Sequence, residues 1–171
     1  EKIHTLFPEL KIQMTETGSV DPYSYMSYNA IQTNRMFRFG ASSLIRWCLV
    51  LDEYNGPSDS RNPHLKTSPV EYSNGVITYN ASQNEVIYNP DAYFLAHYSR
   101  YINRGAYYIS STDIDSSKRL SSASFLNPDN TVVTVLSNDN ADPATFKCVF
   151  NGKVIEYRLS GKSIATLKWQ E

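Results

Sequence analysis

Leu10-Lys11-Ile12-Gln13-Met14-Thr15-Glu16-Thr17-Gly18-Ser19 and Arg46-Trp47-Cys48-Leu49-Val50-Leu51-Asp52-Glu53-Tyr54-Asn55-Gly56-Pro57 are the two stretches that decide how this chain is read. Each is a short apolar run that stops abruptly at carboxylates. Residues 10–15 alternate with period two, as a half-buried strand does. The apolar parity of Leu10, Ile12 and Met14 continues onto Glu16, so the carboxylate is expected on the side of the buried residues. Residues 43–51 are apolar almost throughout, interrupted by Arg46, and read as one strand covered on both faces. Residues 23–39 between them hold no breaker and read as a helix, with Gly40 as its C′ residue.

Working outward, residues 2–7 look like the last turns of a helix that Pro8 ends. Chemistry-bearing side chains at the carboxyl ends of successive strands are how (β/α)8 barrels build their sites. At most two such strand–helix units fit here, so the chain reads as the tail of an enzyme. Its first third cannot bury its own apolar residues, and it opens on Glu1-Lys2-Ile3-His4. Both features lead to the expectation that the chain begins inside a longer parent.

Beyond Gly56 runs a polar stretch with Pro57, Pro63 and Pro69, holding a hairpin of Val76-Ile77-Thr78-Tyr79 and Glu85-Val86-Ile87-Tyr88. A helix over 89–103 follows, with Asn89 as N-cap, Pro90 at the first position and Asp91 complementing the dipole. From Ala106 the pattern is all-β: strands at 107–109, 124–126, 131–136, 145–150, 154–159 and 163–169, separated by turns. Asn151-Gly152 is the clearest turn, a strong short-range hairpin signal. Phe146, Cys148 and Phe150 are expected on one buried face, with Lys147 and Val149 opposite.

Charge is balanced, 16 Lys and Arg against 17 Asp and Glu, so there is no basic field for nucleic acid or an anionic membrane. No apolar run approaches the roughly 20 residues of a membrane span. Thirteen tyrosines with many Ser and Asn give a polar, aromatic surface of the kind seen in secreted and carbohydrate-handling proteins. Cys48 and Cys148 read as two buried thiols. The three histidines and two cysteines show no metal-ligand spacing, and there is no phosphate loop or dinucleotide fingerprint. No cofactor is expected. Asn80-Ala81-Ser82 is a glycosylation sequon, and His97 falls inside an amphipathic helix, where a structural role is expected.

In order along the chain, Phe7-Pro8, the strand end Thr15-Glu16, and Trp47-x-Leu-x-Leu-Asp52-Glu53-x-x-Gly56-Pro57 resemble glycoside hydrolase family 30. So do Tyr93-Phe94-Leu95-Ala96-His97-Tyr98-Ser99-Arg100-Tyr101-Ile102 and the ending Ser163-Ile164-Ala165-Thr166-Leu167-Lys168-Trp169. The family includes glucosylceramidases and β-1,6-glucanases. The resemblance implies an α/β plus all-β fold: the last two strand–helix units of a (β/α)8 barrel, then an antiparallel β-sandwich side domain. Residues 1–104 would be the C-terminal part of the catalytic barrel and 105–171 the side domain.

It further implies that Glu16 is the nucleophile of a retaining β-glycosidase acting on β-glucosides or β-glucan-type glycans. Trp47 would be an aromatic of the sugar pocket; Asp52, read from its own place at the strand end, is a substrate-binding rim residue or a loop anchor. The implied partners are a carbohydrate substrate and the missing N-terminal half of the barrel, which would carry the acid/base. This chain alone is then expected to be inactive. A secreted, periplasmic or lysosomal parent is implied. Two departures stand out. Cys48 replaces the polar amide usual after the tryptophan, and segment 58–62 lacks the aromatic of a glucosylceramidase-like loop.

Each residue also has a plainer reading. Glu16 could be an ordinary exposed carboxylate in a turn, and Trp47 a core aromatic. Asp52 and Glu53, adjacent on a strand, point to opposite faces and would serve as loop anchors. The competing function is a non-catalytic β-sandwich module that binds carbohydrate or protein, and a structural side domain is the third reading.

Overall fold

The computed structural model describes residues 2–17, 22–56, 75–109 and 119–170. Segment 58–62, the expected glucosylceramidase-like loop, lies outside the described residues. A short helix α1 (Lys2–Leu6) leads to strand β1 (Ile12–Thr17), and helix α2 (Pro22–Arg38) connects it to β2 (Ala41–Arg46). β1 and β2 pair in parallel. α2 starts on a proline and carries Arg35 and Arg38 in its last turn, where cations complement the helix dipole.

The expected single strand over 43–51 is two. β2 stops at Arg46, a cis peptide joins Trp47 to Cys48, and the chain resumes as β3 (Val50–Asp52). β3 leaves the β1–β2 pair and joins the hairpin of β4 (Ile77–Asn80) and β5 (Glu85–Tyr88) in a second sheet, parallel to β4. Nor is the run covered on both sides, since Ile45, Trp47, Leu49 and Val50 are exposed.

Helix α3 (Pro90–Ser99) is shorter than the expected 89–103. Asn89 has an N-cap's extended backbone but makes no side-chain cap bond. Its amide instead donates to the Gly75 carbonyl and the Thr78 hydroxyl, both at 2.8 Å, tying α3 to the hairpin.

The β-rich half follows: β6 (Tyr107–Ile109), β7 (Leu120–Leu126), β8 (Thr131–Asn138), β9 (Ala144–Phe150), β10 (Lys153–Leu159) and β11 (Ser163–Gln170). The main sheet runs β11-β8-β7-β6, all antiparallel, and β9–β10 form a separate hairpin. Asn151 and Gly152, at φ 49° and 76°, both take the left-handed conformation that a tight hairpin turn requires. On β9, Phe146 is buried and Cys148 and Phe150 half-buried, while Lys147 and Val149 are exposed, as the alternation predicts. Neither thiol is fully buried: Cys48 and Cys148 are both free and half-buried.

β8 is buried along its whole length because both of its faces are covered. Val135 packs into a cluster with Ala30, Phe94 and Tyr98, and Leu136, pointing the other way, joins Phe146 and Leu159. The helices therefore share a core with the sheet. Polar bonds lock the same seam. Ser27 donates to Asp139 at 2.6 Å, Ser137 donates to the Ser27 carbonyl at 2.6 Å, and the Asn34 amide reaches Ser121 at 2.9 Å. Burial of Asp139 opposes its ionisation, but hydrogen bonds from Ser27, Lys162 and Arg119 outweigh it and hold its carboxyl below the usual range.

The Tyr98 hydroxyl, driven far up its titration scale by burial, donates to Asn34 at 2.9 Å. At the α3–β11 contact the Thr166 hydroxyl donates to the His97 carbonyl at 2.9 Å. Its one proton is then used, so His97 Nδ1, 3.0 Å from that oxygen, is the donor to it. Burial lowers the pKa of His97 and favours this neutral ring.

Candidate active site

Glu16 lies one residue from the carboxyl end of β1 and is exposed. Ile12 and Met14, by contrast, are half-buried. The register slips between Met14 and Thr17, where three steps on β1 match two on β2, so the alternation counted from Ile12 and Met14 does not carry through to Glu16. Thr17 pairs with Arg46 on β2, and Arg46 Nη1 donates to its hydroxyl at 3.4 Å, so both side chains share one face. Glu16 and Ile45, one residue back on each strand, are both exposed.

Trp47 follows Arg46, and its backbone amide donates to the Thr17 carbonyl at 2.8 Å. Its indole is 51% exposed. The structure thus brings Glu16 and Trp47 to the carboxyl ends of neighbouring parallel strands, one hydrogen bond apart along the backbone. Val76 N to Cys48 O at 2.8 Å and Ile77 N to Leu49 O at 2.9 Å hold the stretch after Trp47 onto the second sheet. The Cys48 thiol donates to the Val50 carbonyl at 3.5 Å. Burial raises its pKa against the opposing effect of that bond, so it is a protonated thiol rather than an activated nucleophile.

Asp52 is engaged in a turn. Its Oδ1 accepts from the amides of Tyr54 at 2.9 Å and Gly56 at 2.6 Å, while its own amide donates to the Gly56 carbonyl at 3.0 Å. A Cβ at residue 56 would fall within 3 Å of this carboxylate, so Asp52 would have to shift and give up its turn bonds. Gly56→Ala is expected to cost about 1–3 kcal/mol. Most of that cost should vanish in an Asp52→Ala background, measured by thermal melts around the double-mutant cycle. Equal costs in both backgrounds would show that the close approach is not the reason for glycine. Glu53 anchors the β4–β5 turn by accepting from Ala81 N at 3.1 Å and Ser82 N at 3.4 Å. Its own amide, then those of Ala81 and Ser82, lower its pKa.

Arg46 and Asp91 are the pair that sequence reading missed. Arg46 Nη2 sits 2.7 Å from Oδ1 and 2.6 Å from Oδ2 of Asp91, and both side chains are 3% exposed. The guanidinium also lies over the Phe94 ring, 5.2 Å from its centroid. A signal was available: a charge inside an apolar strand must find a partner or not be buried. Among the described residues, no group of three or more His, Cys, Asp or Glu could hold a metal ion, and no helix is long and apolar enough to cross a membrane.

Comparison with known proteins matches residues 105–167 to the glycosyl hydrolase family 30 beta sandwich domain. No curated protein matches the chain. Among solved structures, SrfJ from Salmonella typhimurium is 22% identical with a TM-score of 0.80, over 99% of this chain and 37% of its own. The endo-beta1,6-glucanase BT3312 is 24% identical with a TM-score of 0.77, over 99% and 38%. The catalytic domain of GH30 xylanase C from Talaromyces cellulolyticus is 17% identical with a TM-score of 0.65, over 92% and 40%. The chain thus spans well under half the length of these structures. Residues 105–167 thus match the glycosyl hydrolase family 30 beta sandwich domain, and the chain as a whole shares its fold with part of SrfJ and of the endo-beta1,6-glucanase BT3312.

Proposed function

We propose that this chain is the C-terminal part of a retaining β-glycosidase acting on β-glucosides or β-glucan-type glycans outside the cytosol. Residues 1–104 complete the catalytic barrel as its seventh and eighth strand–helix units, β1–α2 and β2–α3, and 105–171 form the side domain. The single observation that carries the reading is the pairing of an exposed carboxylate, Glu16, with an exposed indole, Trp47, at the carboxyl ends of adjacent parallel strands. The exposed apolar side chains around them, Leu10, Ile45, Leu49 and Val50, are a surface for the upstream barrel strands to cover.

In this reading Glu16 attacks the anomeric carbon and forms a glycosyl ester. The bond to the leaving oxygen breaks as that oxygen takes a proton from the acid/base in the upstream half. Water then attacks the same carbon, giving its proton to that residue and releasing the sugar with retention. Trp47 offers a flat apolar face to the sugar, and Asp52 supports the rim through its turn. The binding-module alternative has less support: the exposed tyrosines Tyr107 and Tyr157 lie on different sheets and make no row.

The test is trapping. A 2-deoxy-2-fluoro-β-glucosyl fluoride slows breakdown of the ester, so the parent should gain one fluoroglucosyl mass on the peptide that holds Glu16. A label on another carboxylate, or a product of inverted configuration, would overturn the assignment.

A further inference from the structure

We propose that Arg46 is a positioning residue for this site: its buried guanidinium sets where Glu16 and Trp47 stand at the two strand ends. The proposal rests on the glycosidase reading above. Arg46 precedes Trp47 in sequence and is the register partner of Thr17, which follows Glu16. One side chain is therefore a single residue from each of the two groups that would meet the sugar. Three contacts fix it from three directions. Asp91 in the first turn of α3 takes Nη2 at 2.7 and 2.6 Å, Thr17 takes Nη1 at 3.4 Å, and the Phe94 ring lies beneath at 5.2 Å. Nε is buried without a hydrogen-bond partner among the described residues.

At 3% exposure the guanidinium is closed off from substrate. It acts through the backbone of β1 and β2. Stability alone does not account for it, because a well-packed apolar pair commonly replaces a buried ion pair without loss. What an apolar pair does not supply is the directional bond to Thr17, and with it the alignment of the two strand ends. Misplacing a reacting group by about 1 Å costs on the order of 100-fold in rate.

The experiment uses the parent enzyme carrying Arg46→Met with Asp91→Leu, which removes both charges together. The expected result is a melting temperature within about 5 °C of the parent's, KM within about threefold, and kcat lowered about 30-fold or more. In the chain itself, Trp169→Phe leaves Trp47 as the sole indole, and iodide quenching of Trp47 should change with the double substitution. A kcat within about threefold of the parent's overturns the proposal, as does a lowered kcat with unchanged Trp47 quenching. If the double variant fails to fold, Arg46→Lys decides, because it keeps the charge for Asp91 and gives up the second amino group on Thr17. A loss of about tenfold in kcat supports positioning, and an unchanged kcat refutes it. Glu16→Gln is assayed alongside. If it turns over like the parent, the glycosidase reading is what has failed. If it is dead while the Arg46 variants are unimpaired, only the positioning role has failed.

Discussion

In the parent enzyme, Glu16→Gln is expected to lower kcat on the order of 10⁴-fold while leaving KM nearly unchanged, because attack on the anomeric carbon is made only in the transition state. The amide keeps the size and the hydrogen-bonding capacity of the side chain but is no nucleophile. A rescue distinguishes loss of the attacking group from loss of structure. Glu16→Ala leaves room for azide, which should restore turnover of an activated aryl glucoside and give the α-glucosyl azide by a single inversion. Steady-state kinetics and product configuration check both outcomes. A Glu16→Gln enzyme with near-parental kcat would remove the nucleophile from this chain and leave its β-rich half as the module to explain.

Phe94→Ala should be the most destabilising core substitution, at about 3–5 kcal/mol. Phe94 is fully buried, stands edge-on to Tyr98 with centroids 5.6 Å apart, and carries the Arg46 guanidinium on its face. For a chain of this size the loss corresponds to a fall of roughly 6–20 °C in Tm. Because Phe94 packs with Ala30 of α2 and Val135 of β8, helices and main sheet should unfold together. Melts followed by far-ultraviolet circular dichroism and by tryptophan emission should therefore shift as one transition. A shift confined to one signal, with the sandwich melting unchanged, would show that the two halves do not share a core.

Much of this architecture was legible in the chain because short windows encode it. Asn151-Gly152 accepts the left-handed backbone a tight hairpin needs, and alternation around Phe146 places that face inward whatever lies across from it. The helix start at Pro90 was equally local. Where windows misled, a distant partner had overruled them. Asn89 has the composition of a cap, yet its amide goes to Gly75 and Thr78, which only the β4–β5 hairpin brings near. Period-two counting put Glu16 with the half-buried Ile12 and Met14, but the pairing with β2 slips between Met14 and Thr17, and Glu16 is exposed.

The sequence by itself determined where most helices, strands and turns fall and the likeness to a family, and it nominated Glu16 and Trp47 as candidates. Only the tertiary structure decided that the run from Ser43 to Leu51 breaks after Arg46, that Asp52 closes a turn on Gly56, and that Arg46 is matched by Asp91 beneath the two candidate residues. The physical reason is range. Backbone propensity and hydrophobic period act over a few neighbours, whereas a buried charge is tolerated only by a partner, and here that partner is 45 residues away in sequence.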